Sequence, residues 1–139
     1  MTPIRLALAG LALVGAAACS ASSSPSSTAG CKKLPTADPA AAMPTGLPAV
    51  AGQVLYEPST QGKTEIVFAV IKAHSFVKVR DDYVTALKGV GWKIDGTDQE
   101  SVEAEAQFSK TPPLKTGTIK VQPIPSCADY VTVRYKVNQ

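Results

Sequence analysis

Three stretches in the second half of the chain alternate apolar and polar residues one by one, and this alternation limits the possible folds more than any other feature. The runs are Val102, Ala104, Ala106, Phe108; Ile119, Val121; and Val131, Val133, Tyr135, Val137. In an extended strand successive side chains point to opposite faces, so each run gathers its apolar residues on one side. The runs therefore read as antiparallel strands with one dry face and one wet face. The residues between them put Glu103, Glu105 and Gln107 on one wet face, Lys120 and Gln122 on the next, and Arg134 and Lys136 on the third. Acids on one strand and bases on two others suit cross-strand pairing.

Upstream, Thr64 to Lys72 is a strand whose centre, Ile66 to Ile71, is apolar at every position. Such a strand is covered on both faces and belongs inside the sheet, with a helix on one side and a Pro-rich arm on the other. Gln53 to Glu57 reads as a short strand and Pro58 to Lys63 as a turn. One helix is best supported from Asp81 to Lys88, where Phe76, Val79, Tyr83, Leu87 and Val90 share a face at spacings of three and four. Its start has two readings. Ser75 can cap a helix beginning at Phe76, or Phe76 to Val79 can stay extended and leave Asp81 and Asp82 in the first turn. Gly89 and Gly91 offer left-handed caps before Trp92 to Ile94 resume an extended path, and Asp95-Gly96 signals a turn. The expected fold class is α+β, a single antiparallel sheet of about five or six strands with one helix packed on it.

The 139 residues leave room for one ordinary domain. Eleven prolines and ten glycines follow no fixed period and 45% of residues are hydrophobic, which excludes collagen, coiled coil and wholesale disorder. A net charge of +3 is too mild for affinity built on phosphate neutralisation, so nucleic acid is not an expected partner. The chain divides into a leader (1–18), a Ser-rich tether (19–30), a Pro/Ala-rich arm (31–51) and the α+β domain (52–139).

The leader begins the functional argument. Leu6 to Ala18 is thirteen uncharged residues behind Arg5. A membrane-crossing helix needs about 20, whereas a secretory core needs about 7 to 15 before a small-residue cleavage site. The run closes on Val14-Gly15-Ala16-Ala17-Ala18-Cys19. Here the chain resembles a bacterial lipoprotein precursor, whose lipobox sets small residues directly before a cysteine. The resemblance implies that Cys19 is diacylglycerated, that the Ala18–Cys19 bond is cut, and that the new amino terminus is acylated, palmitate being one such acyl group. The family favours Leu or Val where this chain has Ala16, and Ala16-Ala17-Ala18 also satisfies the pattern of ordinary signal peptidase, which would release a soluble chain. A buried hydrophobic helix is the remaining reading of the run. From Tyr83-Val84 through Leu87-Lys88 to Gly91-Trp92 and the strands beyond, the domain is similar to small lipoprotein domains of high-GC Gram-positive bacteria, a likeness that carries over no functional residue.

Cysteine parity agrees with the lipobox. Three cysteines are an odd number in an exported chain. With Cys19 given to lipid, Cys31 and Cys127 remain as one disulfide, a staple between the arm and the sheet. Ser20 to Gly30, with six serines and no charge, is a spacer.

Catalytic constellations are not evident. Asp81 and Asp82 splay apart on a helix, Glu103 and Glu105 face bases, and the single histidine, His74, has no partner at ligand spacing and reads as a solvated turn residue. No metal or other cofactor is expected. Phe76, Tyr83, Leu87 and Trp92, with the small Ala104 and Ala106 opposite, read first as core and second as an apolar groove between helix and sheet. The expectation is a non-enzymatic, lipid-anchored binding or scaffold module on the extracytoplasmic face of the cell membrane, with another envelope protein as partner. The alternative is a carrier of a small apolar ligand in the helix–sheet groove.

Overall fold

The alternating runs do pair, and the last of them in chain order joins the other two to the upstream strands. The computed structural model describes Cys31 and residues 34–139; the leader, the tether and the lipidation position Cys19 lie outside the described residues. Six strands, β1 (Val54–Gln61), β2 (Thr64–Lys72), β3 (Lys93–Gln99), β4 (Ala104–Lys110), β5 (Lys115–Ile124) and β6 (Cys127–Asn138), form one antiparallel sheet in the order β1-β2-β6-β5-β4-β3. One helix, α1 (Phe76–Gly89), packs on it, so the fold is α+β with a single antiparallel sheet.

The register turns alternation into layers. Val67 faces Tyr135, Tyr135 faces Ile119, and Ile119 faces Ala106, while Ala69, Val133, Val121 and Ala104 make the next row. All eight are buried, and they form the dry face of the sheet. The helix lies chiefly over the half built by β3, β4 and β5 and reaches β6 through Tyr83 against Tyr135. The arm covers the rest of the same face: Leu47 is buried in the core, and Ala41, Met43 and Val50 pack against it. The arm therefore reaches the helix's own face, not only the opposite one as expected. It gets there by wrapping the outer edge of β1, where the Asp38 N–H donates to the Leu55 carbonyl at 3.0 Å. On the far face Phe68 is half-buried under Tyr56, with ring centroids 5.7 Å apart.

Local boundaries follow from backbone chemistry. The Ser75 hydroxyl accepts from the Lys78 N–H, which starts the helix at Phe76 and decides between the two readings. Gly89 is the last helical residue, and Gly91 alone is left-handed, at φ +83°, as the Trp92 N–H returns to the Leu87 carbonyl. Pro58 is not in a turn. It lies inside β1, where the register shifts between Tyr56 and Ser59, because an edge strand with a bulge tolerates a residue lacking an N–H. The turn itself is shorter, centred on Gly62 at φ +61°. Asp95-Gly96 is also a bulge, and β3 runs through it to Gln99. Val102 departs from its run: β4 begins at Ala104, and Val102 is 57% exposed in the preceding connection.

Gly117 is set by packing. It lies opposite Phe108, and a Cβ there would stand 2.5 Å from Cε2 of that ring and 2.8 Å from the Lys136 carbonyl oxygen. The ring continues edge-on to Trp92, whose indole N–H donates to the Gly46 carbonyl at 2.8 Å. Sheet, helix exit and arm meet at that indole.

Candidate functional site

The six residues read as a possible groove are brought together as core. Tyr83, Leu87, Ala104 and Ala106 have no exposed surface, Trp92 is buried, and Phe76 is half-buried against the same cluster. The small side chains of Ala104 and Ala106 flank the Glu105 carbonyl, and the Arg80 side chain comes down there from α1. Its Nη1 donates to the carbonyls of Asp98 (3.0 Å) and Glu105 (3.4 Å), and its Nε pairs with Asp81 at 2.6 Å. Arg80 is 8% exposed. A buried guanidinium needs such acceptors to offset its lost hydration. A cation in the middle of an otherwise apolar helix stripe gave no sign of this in the sequence.

Beside it lies a buried polar knot. The hydroxyls of Tyr83 and Tyr135 touch each other, and both lie within reach of Gln53 Oε1, at 2.8 and 3.0 Å. The same oxygen accepts from the Val50 N–H at 3.1 Å. Gln53 thus ties the end of the arm to the helix and to the centre of the sheet, and no sequence pattern marks it. Burial pushes the Tyr83 phenol up from 10.0 to about 12, and burial together with neighbouring Tyr83 raises Tyr135 as well.

These shifts predict alkaline sensitivity. Below about pH 10 both phenols are neutral whether the chain is folded or not, so stability is flat there. Above it the unfolded chain loses phenolic protons that the folded chain keeps, and stability falls by up to about 1.4 kcal/mol per pH unit for each tyrosine. Tyr83 contributes that slope up to about pH 12. Tyr83→Phe should remove its share, measured as denaturation midpoints across pH 9 to 12 on the order of one-unit steps. A parent slope no steeper than the variant's would mean that the phenol is not held neutral by burial.

The wet face carries part of the expected ion network, with Lys120 meeting both acids while Arg134 and Lys136 stand on β6, one strand further from β4. Lys120 Nζ stands 2.7 Å from Glu103 and 2.8 Å from Glu105, and the Gln122 amide donates to the other oxygen of Glu103 at 3.0 Å. Hydrogen bonds to Glu103 and then Glu105 hold the Lys120 ammonium above its usual range. Both carboxylates are thus engaged by a permanent cation. Asp82 pairs with Lys78, and His74 with Asp129 at 3.1 Å on open surface. Among the described residues, no three His, Cys, Asp or Glu side chains group as a metal would require.

Two features stand together at the end of the sheet where β6 begins. Cys31 and Cys127 are at disulfide distance, with Cα atoms 4.8 Å apart. Next to them runs a groove of about 510 Å³, lined by Pro35, Tyr56, Val102, Pro123, Ile124 and Pro125, with Gln122 and Thr132 in its floor. Its polar groups are partly occupied internally: the hydroxyls of Tyr56 and Thr132 bond to each other at 3.0 Å, and the Gln122 amide N–H donates to Glu103. Most of what the groove presents to a visitor is carbon. The sequence signal that could have found it is Pro123-Ile124-Pro125, an apolar residue between two prolines at a strand end.

No helix among the described residues is long and apolar enough to cross a membrane. Comparison with known proteins returns no matching family model, no matching curated protein and no matching solved structure.

Proposed function

We propose that this chain is a lipid-anchored lipoprotein of the extracytoplasmic face of the cell membrane, a non-catalytic binding or scaffold module that works by contact with another envelope protein. One observation carries the reading. Cys31 and Cys127 lie at disulfide distance, which leaves Cys19, behind a leader of secretory length, as the one cysteine outside that pair. Exported chains modify such a cysteine or pair it with a second molecule. The small residues before Cys19 favour modification by lipid.

A scaffold role suits the rest of the molecule. Glu103, Glu105 and Lys120 of the wet face are paired with one another, and the helix–sheet gap is filled by Arg80 and the tyrosines. The intact mass of the mature chain, taken with and without reductant, tests the anchor. The expected result is a chain beginning at Cys19, heavier by its acyl groups, that gains one pair of hydrogens on reduction. An unmodified Cys19 would defeat the anchor, and an unchanged mass on reduction would defeat the cysteine assignment. Crosslinking in membranes followed by retrieval of the chain tests the partner, and repeated recovery of the chain alone would count against it.

A further inference from the structure

We propose that the groove beside the Cys31–Cys127 pair is where the domain lies against the bilayer, its apolar rim seated among the acyl chains just below the headgroups of the extracytoplasmic leaflet. The inference rests on the lipid-anchor reading and adds an orientation to it. The first support is chemical. Tyr56 and Thr132 share one hydroxyl hydrogen bond and the Gln122 amide donates to Glu103, while Val102, Ile124 and three prolines make most of the groove's surface hydrocarbon. A surface that is mainly hydrocarbon, with few polar groups and those partly engaged, matches acyl chains rather than a hydrogen-bonding ligand.

The second support is position. Cys31 is held to Cys127, only two residues beyond Pro125, so the tether leaves the domain at the groove's own end. Twelve residue steps separate Cys31 from Cys19. They span at most about 40 Å when stretched and about 20 Å as a coil. A tether that short, leaving from that end, holds the groove within reach of the membrane at high effective concentration. The other exposed large hydrophobics, Val90 and Leu114, lie at the opposite end of the sheet, beside Lys110 and Lys115. Singly exposed apolar residues of that kind are ordinary surface, whereas the groove is a contiguous apolar strip.

A depth measurement on the full chain tests this. Val102→Trp and Leu114→Trp each place an indole on an exposed position, 57% and 68% accessible in the parent, so both variants should fold. The buried Trp92 is common to both and sets the baseline. Each mature lipoprotein is reconstituted into phosphatidylcholine vesicles whose acyl chains carry bromine, a short-range quencher. Flotation of the protein with the vesicles is scored separately. The expected result is flotation of both variants, with emission from Val102→Trp falling by about half or more and that from Leu114→Trp unchanged. Flotation with equal emission loss in the two variants, or with none, would overturn the docking face and leave the anchor standing. Failure to float would overturn the anchor and the docking face with it. Quenching absent in vesicles, with the same indole shielded in native membranes, would give the groove to a protein partner and overturn the proposal.

Discussion

Replacing Cys31 and Cys127 together by serine is expected to lower the unfolding free energy by about 4 to 5 kcal/mol, the largest single effect foreseen for this chain. The two cysteines are 96 residues apart in sequence, so a bond between them closes a loop around nearly the whole domain in the unfolded chain. Against a typical domain stability of about 5 to 15 kcal/mol, that loss is a large fraction. The folded side adds to it, because the bond fixes the start of the arm that wraps β1 and delivers Leu47 and Gln53 to the core. Urea midpoints of the oxidised parent, the reduced parent and the double serine variant decide the matter. The last two should coincide well below the first. A loss under about 1 kcal/mol would mean that the arm's own contacts hold it and the staple is redundant.

Gly117→Ala is expected to cost about 3 kcal/mol although it adds a single methyl group. The methyl would fall 2.5 Å from Cε2 of Phe108 and 2.8 Å from the Lys136 carbonyl oxygen. A ring can turn aside, but Phe108 is pinned edge-on against Trp92, and the carbonyl belongs to β6 in the middle of the sheet. Combining the change with Phe108→Leu should recover part of the loss, and the remainder reports the backbone contact. A double-mutant cycle on urea midpoints measures the coupling between the two positions. Simple additivity would show that ring and glycine do not compete for the same space.

The strands were legible where side chains alternate over a buried face. Ala104 to Phe108, Ile119 to Val121 and Val131 to Val137 all point inward as read, because a one-residue slip would place an entire dry row in water. Ser75 was legible as a cap for the same kind of reason, a local bond between a hydroxyl and an N–H three residues on. Asp95-Gly96 and Pro58 misled because turns and bulges draw on the same residue types. The choice between them depends on the neighbouring strand, which local sequence does not reveal. Val102 misled because alternation extends one step past the point where β4 leaves the sheet.

The site was less legible than the fold. Parity of the cysteines pointed to Cys31 and Cys127, and their separation is met in space. The six residues read first as core and second as an apolar groove pack as core, whereas nothing local shows that an arginine on the same helix reaches two carbonyls beside them. The Gln53 knot joins residues 30 and 82 positions apart, and pairing at that range leaves no periodic trace.

The place of β6 has a consequence for the export proposed above. The strand lies between β2 and β5, so before it emerges the β1–β2 hairpin and the β3–β4–β5 meander share no ladder at all. Cys127, the first residue of that strand and one end of the staple to Cys31, arrives at the same late moment. A polypeptide threaded amino end first through a translocation pore would remain two loose halves until this keystone slid in, which keeps it slack enough to pass and lets it lock only on the far side.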